Sequence, residues 1–258
     1  MKHNGDAVFE KEGCIAYISI NKASSMNAID ADLAEAIGKV IKEIGRDPAI
    51  KVVIISGSGG KAFCAGADIN YLSTLKDGVE ARRFSEEMHD LFNSIEALEK
   101  IVIAAIEGYC LGGGCELAMA CDLRIAGSSS VFGQPEVKLG LVPGGGGTYR
   151  LQQIVGVGNA KELIFSGRSI SAEEALRIGL VSRVVKAGTA LTEAKLLAEE
   201  ICSNSASAVR LSKKLINTGL RNNGEMEKSS FASCFKEGDA KEGIDAFLSK
   251  RKPDFHGR

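Results

Sequence analysis

Two glutamates stand in surroundings that disfavour charge. Glu116 lies in "GGGCELAMACDL" (112–123), an apolar run of the kind a folded chain buries, entered through Gly112, Gly113 and Gly114. Glu136 lies in "VFGQPEVKLGLVPGGGGTYRL" (131–151), between apolar stretches and ahead of a second glycine run. Glycines at a strand-to-helix turn let a substrate come close to main-chain N–H groups, where the helix dipole adds positive potential. Two such N–H groups converging on one carbonyl oxygen make an oxyanion hole. The loops "CAGADI" (64–69) and "LGGGCE" (111–116) suit that device. Two carboxylates beside it suit proton transfer around an enolate, one removing a proton and the other supplying one.

Each residue also has a plainer reading. Glu116 alone is compatible with a structural ion pair or cap. Asp68 reads first as the cap of the helix after "CAGA". Gly144 to Gly147 fit loop punctuation before a helix as well as a ligand-facing role. Other glycine devices fail on spacing. Gly60-Lys61 is followed by Ala62, so it is not a phosphate loop. "GSGGKA" and "GVGNAK" lack the third glycine of a dinucleotide fingerprint, and there is no Gly-x-Ser-x-Gly elbow. No His is placed to activate a Ser or Cys, so Cys115 reads as a small core residue.

The elements that must position these groups are legible from periodicity. "CIAYISI" (14–20) alternates like a half-buried strand. Leu33, Ile37, Val40, Ile41 and Ile44 recur at helical spacing behind a possible Asp30 cap. "KVVIISG" (51–57) and "IVIAAIEG" (101–108) read as strands buried on both faces, each followed by a glycine-rich connection and a helix. "DLRIAG", "SSVFG" and "LVSRVV" read as further short strands. From about residue 190, "LTEAKLLAEEIC", "AVRLSKKLINTGL" and "AKEGIDAFLSKR" carry helical periodicity with no strand between them. The expected organisation is an α/β core over 1–190 and a C-terminal helical region over 191–258.

Composition narrows the function class. The 258 residues are 45% hydrophobic and 25% charged, with a formal charge of −1 and no Trp. Nucleic-acid and membrane-surface partners are therefore not expected. The N-terminal "MKHNGDAVFEKEG" lacks the apolar core of a signal peptide, and no apolar run approaches a membrane span. Seven cysteines without a Cys-x-x-Cys pair predict reduced thiols in a cytoplasmic protein. The three His show no metal-ligand spacing, so no metal is expected.

Together, "KAFCAGADI" (61–69), "AAIEGYCLGGGCELAMACDLRIA" (104–126), "FGQPEVKLGLVPGGGGTYRL" (132–151) and "AFLSKRKPDF" (246–255) resemble the crotonase, or enoyl-CoA hydratase/isomerase, family. The resemblance spans nearly the whole chain and sits nearest the bacterial short-chain enoyl-CoA hydratases. It implies a crotonase-like spiral of ββα turns with a C-terminal helical subdomain, assembled as a homotrimer or a hexamer of paired trimers. It implies an acyl-CoA substrate, with coenzyme A entering as part of the thioester and no separate cofactor.

By the same resemblance, the N–H groups of Ala67 and Gly113 hold the thioester oxygen, and Gly112 and Gly114 are implied to contact the substrate beside them. Glu116 is implied as the base that activates water for C3, and Glu136 as the acid that protonates C2. The main chain of Ala65, Gly66, Asp68 and Ile69 is implied to contact CoA. Tyr71, Leu72 and Val142 are implied to line the acyl pocket. Phe247 and Lys250 match positions that reach a neighbouring subunit's CoA. The chain departs from the family where Lys22 is followed by Ala23 and Ser24 instead of a proline and a base, and where Asn70 replaces a lysine. CoA affinity is then expected to rest more on Lys22 and Lys250. The alternatives are a double-bond isomerase, a hydratase for branched, aromatic or alicyclic acyl-CoAs, and a non-catalytic CoA- or RNA-binding relative.

Overall fold

The computed structural model describes residues 2–218, 240, 242, 244, 246 and 249–255. Strands β1 (Lys2–Asn4) and β2 (Ala7–Glu12) form an antiparallel ribbon with β3 (Ile15–Ile20). Helix α1 (Ala31–Arg46) follows, its first turn closed by the Asp30 carboxylate, which accepts from Leu33 N at 2.9 Å. Its stripe of Leu33, Ile37, Val40, Ile41 and Ile44 is buried, each side chain contributing about 1.5–3 kcal/mol by leaving water.

Three successive turns then share one plan. The first is β4 (Val52–Gly57), β5 (Ala62–Cys64), the short α2 (Ile69–Leu72) and α3 (Gly78–Glu96). The second is β6 (Ile101–Ile106), β7 (Tyr109–Leu111) and α4 (Gly113–Ala120). The third is β8 (Leu123–Gly127), β9 (Val131–Gly133) and α5 (Gly147–Ser166), which is broken at Gly156. The chain closes with β10 (Ser169–Ser171), α6 (Ala172–Arg177), β11 (Arg183–Val185), α7 (Ala190–Cys202) and α8 (Ala206–Asn217).

The first strand of each turn joins a seven-stranded sheet in the order β1-β2-β3-β4-β6-β8-β11, parallel from β3 onward. The second strand joins a four-stranded sheet, β10-β9-β7-β5. This is a spiral of ββα turns. The three-residue strands β5 and β7 lie inside what the sequence presents as glycine-rich connections, and β10 lies just before a helix in a stretch that reads as mostly helical.

Side chains of the large sheet alternate between two apolar layers. Val53, Ile55, Val102, Ala104 and Ile106 face the main core with α1, α3 and α4. Val52, Ile54, Ile101, Ile103 and Ala105 face Ala190, Ala194 and Ala198 of α7. The four-residue spacing of those alanines puts one small side chain per turn against the strands, so α7 lies flat on the sheet. The helical region beyond residue 190 thus begins as a covering layer of the sheet core.

Candidate active site

The site gathers where the ends of β5, β7 and β9 meet the N-termini of α4 and α5. Ile29 forms an isolated parallel bridge to Ala67: its N–H donates to Gly66 O and its carbonyl accepts from Asp68 N, each at 2.8 Å. These bonds straddle Ala67, whose own N–H faces the other way and has no acceptor among the described residues. Gly113 is the first residue of α4, so its N–H has no acceptor within the helix. The two backbones touch: a Cβ on Gly113 would lie 3.3 Å from Ala67 N, and one on Gly66 3.6 Å from Gly113 N. Among the described residues neither N–H has an acceptor, and the two loops that carry them lie against each other at the positive end of a helix.

Asn27 braces this loop. It is fully buried and adopts a left-handed backbone, and its amide donates to Ser58 O and Ala62 O at 3.0 and 2.8 Å. Met26 O next to it accepts from Ala65 N at 3.0 Å. The next glycine, Gly114, has a packing reason: a Cβ there would lie 2.1 Å from the Cys64 carbonyl oxygen. At its other end α4 is held by Arg124, which donates to the carbonyls of Ala118 and Cys121 at 3.2 and 2.7 Å.

Glu116 sits one turn into α4 and is 2% exposed. It forms no ion pair with the described residues. Its Oε1 accepts from Gly145 N at 2.8 Å and from Gly147 N at 2.7 Å. The second glycine run is thus more than punctuation: its backbone grips the first carboxylate. Its lack of side chains makes room, since a Cβ on Gly145 would lie 2.8 Å from Glu116 Oε2 and one on Gly147 2.9 Å from Glu116 Oε1. Burial pushes the Glu116 carboxyl above its ordinary range, while the two N–H bonds and the charge of Arg150 oppose that rise.

Glu136 opens a single turn of 3-10 helix, Glu136–Leu139, behind Pro135. Its Oε1 lies close to Gly112, where a Cβ would be 3.1 Å away. With the Gln134 amide turned so that both its ends find partners, its nitrogen donates to Glu136 Oε1 at 2.8 Å and Oε2 at 3.1 Å. Burial pushes the Glu136 carboxyl up to about 7, and the nearby Glu116 adds to the rise. Gly147 links the pair, because a Cβ there would be 2.9 Å from both the Gln134 amide and Glu116 Oε1. The arrangement holds two carboxylates of unequal surroundings beside two unpaired backbone donors.

The outer residues separate into two groups. Tyr71 and Leu72 are half-buried against the main core, with Tyr71 packed on Phe84 at 5.0 Å between ring centroids. Ile69 and Val142 are exposed, and so is Lys250. Asp68 is the helix cap that its sequence suggests, accepting from Asn70 N and Tyr71 N. The N–H groups of Ala65 and Asp68 are paired within the protein, so they do not remain for CoA. The Lys22 ammonium bridges Asp30 and Asp68, so two carboxylates already share the cation expected to serve CoA. Phe247 lies outside the described residues.

Sequence reasoning missed the groups that hold Glu116 from behind. Arg150, 3% exposed, donates to Gly145 O at 2.9 Å, to Asn93 Oδ1 at 2.7 Å and to Glu96 Oε2 at 2.8 and 3.0 Å. Ser85 donates to Gly144 O at 2.6 Å. The available signal was slight: an arginine three residues after a glycine run, in the first turn of a helix. Among the described residues no helix is long and apolar enough to cross a membrane, and no group of three or more His, Cys, Asp or Glu is placed to hold a metal ion.

The enoyl-CoA hydratase/isomerase family model matches residues 10–258 of this chain. The chain belongs to that family. It is 45% identical to the short-chain-enoyl-CoA hydratase of Clostridium acetobutylicum and 47% identical to the crotonyl-CoA hydratase of Syntrophomonas wolfei, with 96% of each chain covered in both cases. A crystal structure of enoyl-CoA hydratase from Bacillus anthracis superimposes with a TM-score of 0.95 at 37% identity, covering 98% of this chain and 100% of that one. The family membership accounts for the ββα spiral.

Proposed function

We propose that this family member is an enoyl-CoA hydratase, adding water reversibly across the 2,3 double bond of a 2-enoyl-CoA thioester to give a 3-hydroxyacyl-CoA. The observation that carries the reading is the pair of carboxylates with opposed surroundings beside two unpaired backbone N–H groups. Ala67 N–H and Gly113 N–H donate to the thioester oxygen and grow stronger as it gains charge. Glu116, favoured as the ionised partner by two N–H bonds and Arg150, takes a proton from water as its oxygen bonds to C3. The π electrons move to the thioester oxygen as an enolate. Glu136, whose pKa of about 7 leaves it substantially protonated at neutral pH, delivers its proton to C2. The two titrations are coupled, so both pH limbs belong to the pair.

An isomerase needs only one carboxylate to shuttle a proton, and two converging carboxylates favour hydration. No separate cofactor enters this chemistry, since CoA is part of the substrate. Trimers or paired trimers are proposed on the family resemblance, and sedimentation equilibrium measures them directly. The test of the reading is loss of the conjugated enoyl-thioester absorbance when the purified protein meets crotonyl-CoA. Rapid loss is expected; binding without loss would sink the reading. Gly113→Ala gives a second test, because its methyl would stand 3.3 Å from Ala67 N, in the space assigned to the oxyanion. It is expected to lower kcat/KM by about 10²-fold, measured in the same assay.

A further inference from the structure

We infer that Arg150 is a positioning residue for the proposed hydration, aiming the Gly145 and Gly147 N–H groups at Glu116 through the carbonyl of Gly145. The inference rests on the hydratase reading and assigns a role to a residue that touches no substrate. Its guanidinium reaches inward to Gly145 O at 2.9 Å, and Gly145 N donates to Glu116 Oε1 at 2.8 Å. One peptide unit thus passes the contact from the arginine to the carboxylate. Arg150 N also donates to Gly146 O at 3.0 Å, so main chain and side chain of one residue grip the loop.

The loop's residue types agree with that purpose. Gly146 has φ +102°, and a Cβ there would lie 2.3 Å from Arg150 Nη1, so only glycine lets the guanidinium lie flat on the turn. A planar fork is needed because the donors go three ways: to Gly145 O, Asn93 Oδ1 and Glu96 Oε2. The carbonyl lies on the inner side, whereas the Glu96 side chain is 44% exposed. An arginine that served only a surface ion pair would not be buried to 3% with one nitrogen on an active-site loop. The Tyr149 ring, 4.9 Å from the guanidinium carbon and stacked with His89, covers another side.

The two bonds to Oε1 fix the carboxylate plane, and with it the direction in which Oε2 is offered to the reacting water. Loss of that direction is a geometric fault at the reacting centre, where a displacement of about 1 Å costs on the order of 10²-fold in rate. It has a second signature. The charged and titratable groups facing Glu116 are Arg150 from α5 and Glu136 from the 3-10 turn, with Glu96 and His89 of α3 behind Arg150. Arg150 and the two N–H bonds favour the ionised base, so loosening them moves the acid limb of kcat/KM to higher pH. A purely structural arginine would change the amount of folded enzyme and leave that limb in place.

The experiment compares wild type, Arg150→Met, Arg150→Lys and Glu96→Gln with crotonyl-CoA across pH. Arg150→Met is expected to lower kcat by about 10²-fold with KM little changed, and to move the acid limb upward. Arg150→Lys restores the charge and part of the rate, and Glu96→Gln loses less than either. Unshifted acid limbs and wild-type kcat in the folded variants would overturn the inference. If Arg150→Met fails to fold, Arg150→Lys and Glu96→Gln decide by the same criteria. A readout independent of turnover is the carboxyl-stretch infrared difference between each background and its Glu116→Gln form, titrated with pH. Its midpoint is expected to rise in Arg150→Lys, and an unmoved midpoint rejects the role. Failure of wild type to hydrate crotonyl-CoA would reject the hydratase reading alone, since the infrared titration still reports whether Arg150 governs Glu116.

Discussion

Replacing Glu136 with Gln is expected to lower kcat for hydration of crotonyl-CoA by about 10²- to 10⁴-fold, the usual contribution of a positioned proton donor. The amide keeps the size of the side chain and can still pair with Gln134, but it has no proton for C2. KM should change little, because the backbone donors at Ala67 and Gly113 are untouched. The wild-type profile carries the sign. Burial raises the Glu136 pKa to about 7, so the protonated acid is lost, and kcat/KM falls, as pH rises through that value. In Glu136→Gln the alkaline limb should vanish from the residual activity. A limb that persists would show that another group supplies the proton.

The same substitution should stabilise the fold. A carboxyl whose folded pKa is about 7 against an ordinary 4.5 binds more protons folded than unfolded between those values. Stability therefore falls as pH rises from about 4.5 to about 7, and the full cost is present above 7. Gln removes that cost, for an expected gain on the order of 1–3 kcal/mol at pH 8 and none at pH 4. Thermal unfolding at the two pH values checks it.

Glu116→Gln is expected to cost about 10²- to 10⁴-fold in kcat as well, with the acid limb removed instead of the alkaline one. Its amide oxygen can still accept from Gly145 N and Gly147 N, so the loop keeps its shape. The double variant with Glu136→Gln should be little worse than either single one, because the two carboxylates serve the same addition, one activating the water and the other protonating C2. Losses that multiply instead would mean that the two glutamates contribute independently of each other. Unfolding at pH 8 should again show no loss of stability, since burial raises the Glu116 pKa above its unfolded value.

Both glutamates were legible in the sequence because a carboxylate in an apolar run has few reasons to be there, and the glycines beside them narrowed the reasons further. The strands β3, β4 and β6 and helix α1 were legible because six or more residues suffice to show a period. β5 and β7 were not, at three residues each, although they carry the two loops into contact. The ribbon of β1 and β2 also went unread, having little apolar alternation of its own.

What the sequence by itself determined is the set of chemical groups: two carboxylates, two glycine runs and the elements that carry them. Tertiary structure decided their partners. Lys22 looks like a free cation along the chain, and folding brings it to Asp30 and to Asp68, which is 46 residues away. Arg150 drew no reading along the chain, and folding turns it inward to Gly145 and to Asn93 and Glu96 of another helix. The second glycine run looks like a ligand loop or a turn, and it holds Glu116. The physical reason is one of range. Propensity, period and capping act over a few residues, whereas the direction of an N–H or a carbonyl is set by backbone bonds between segments far apart in the chain.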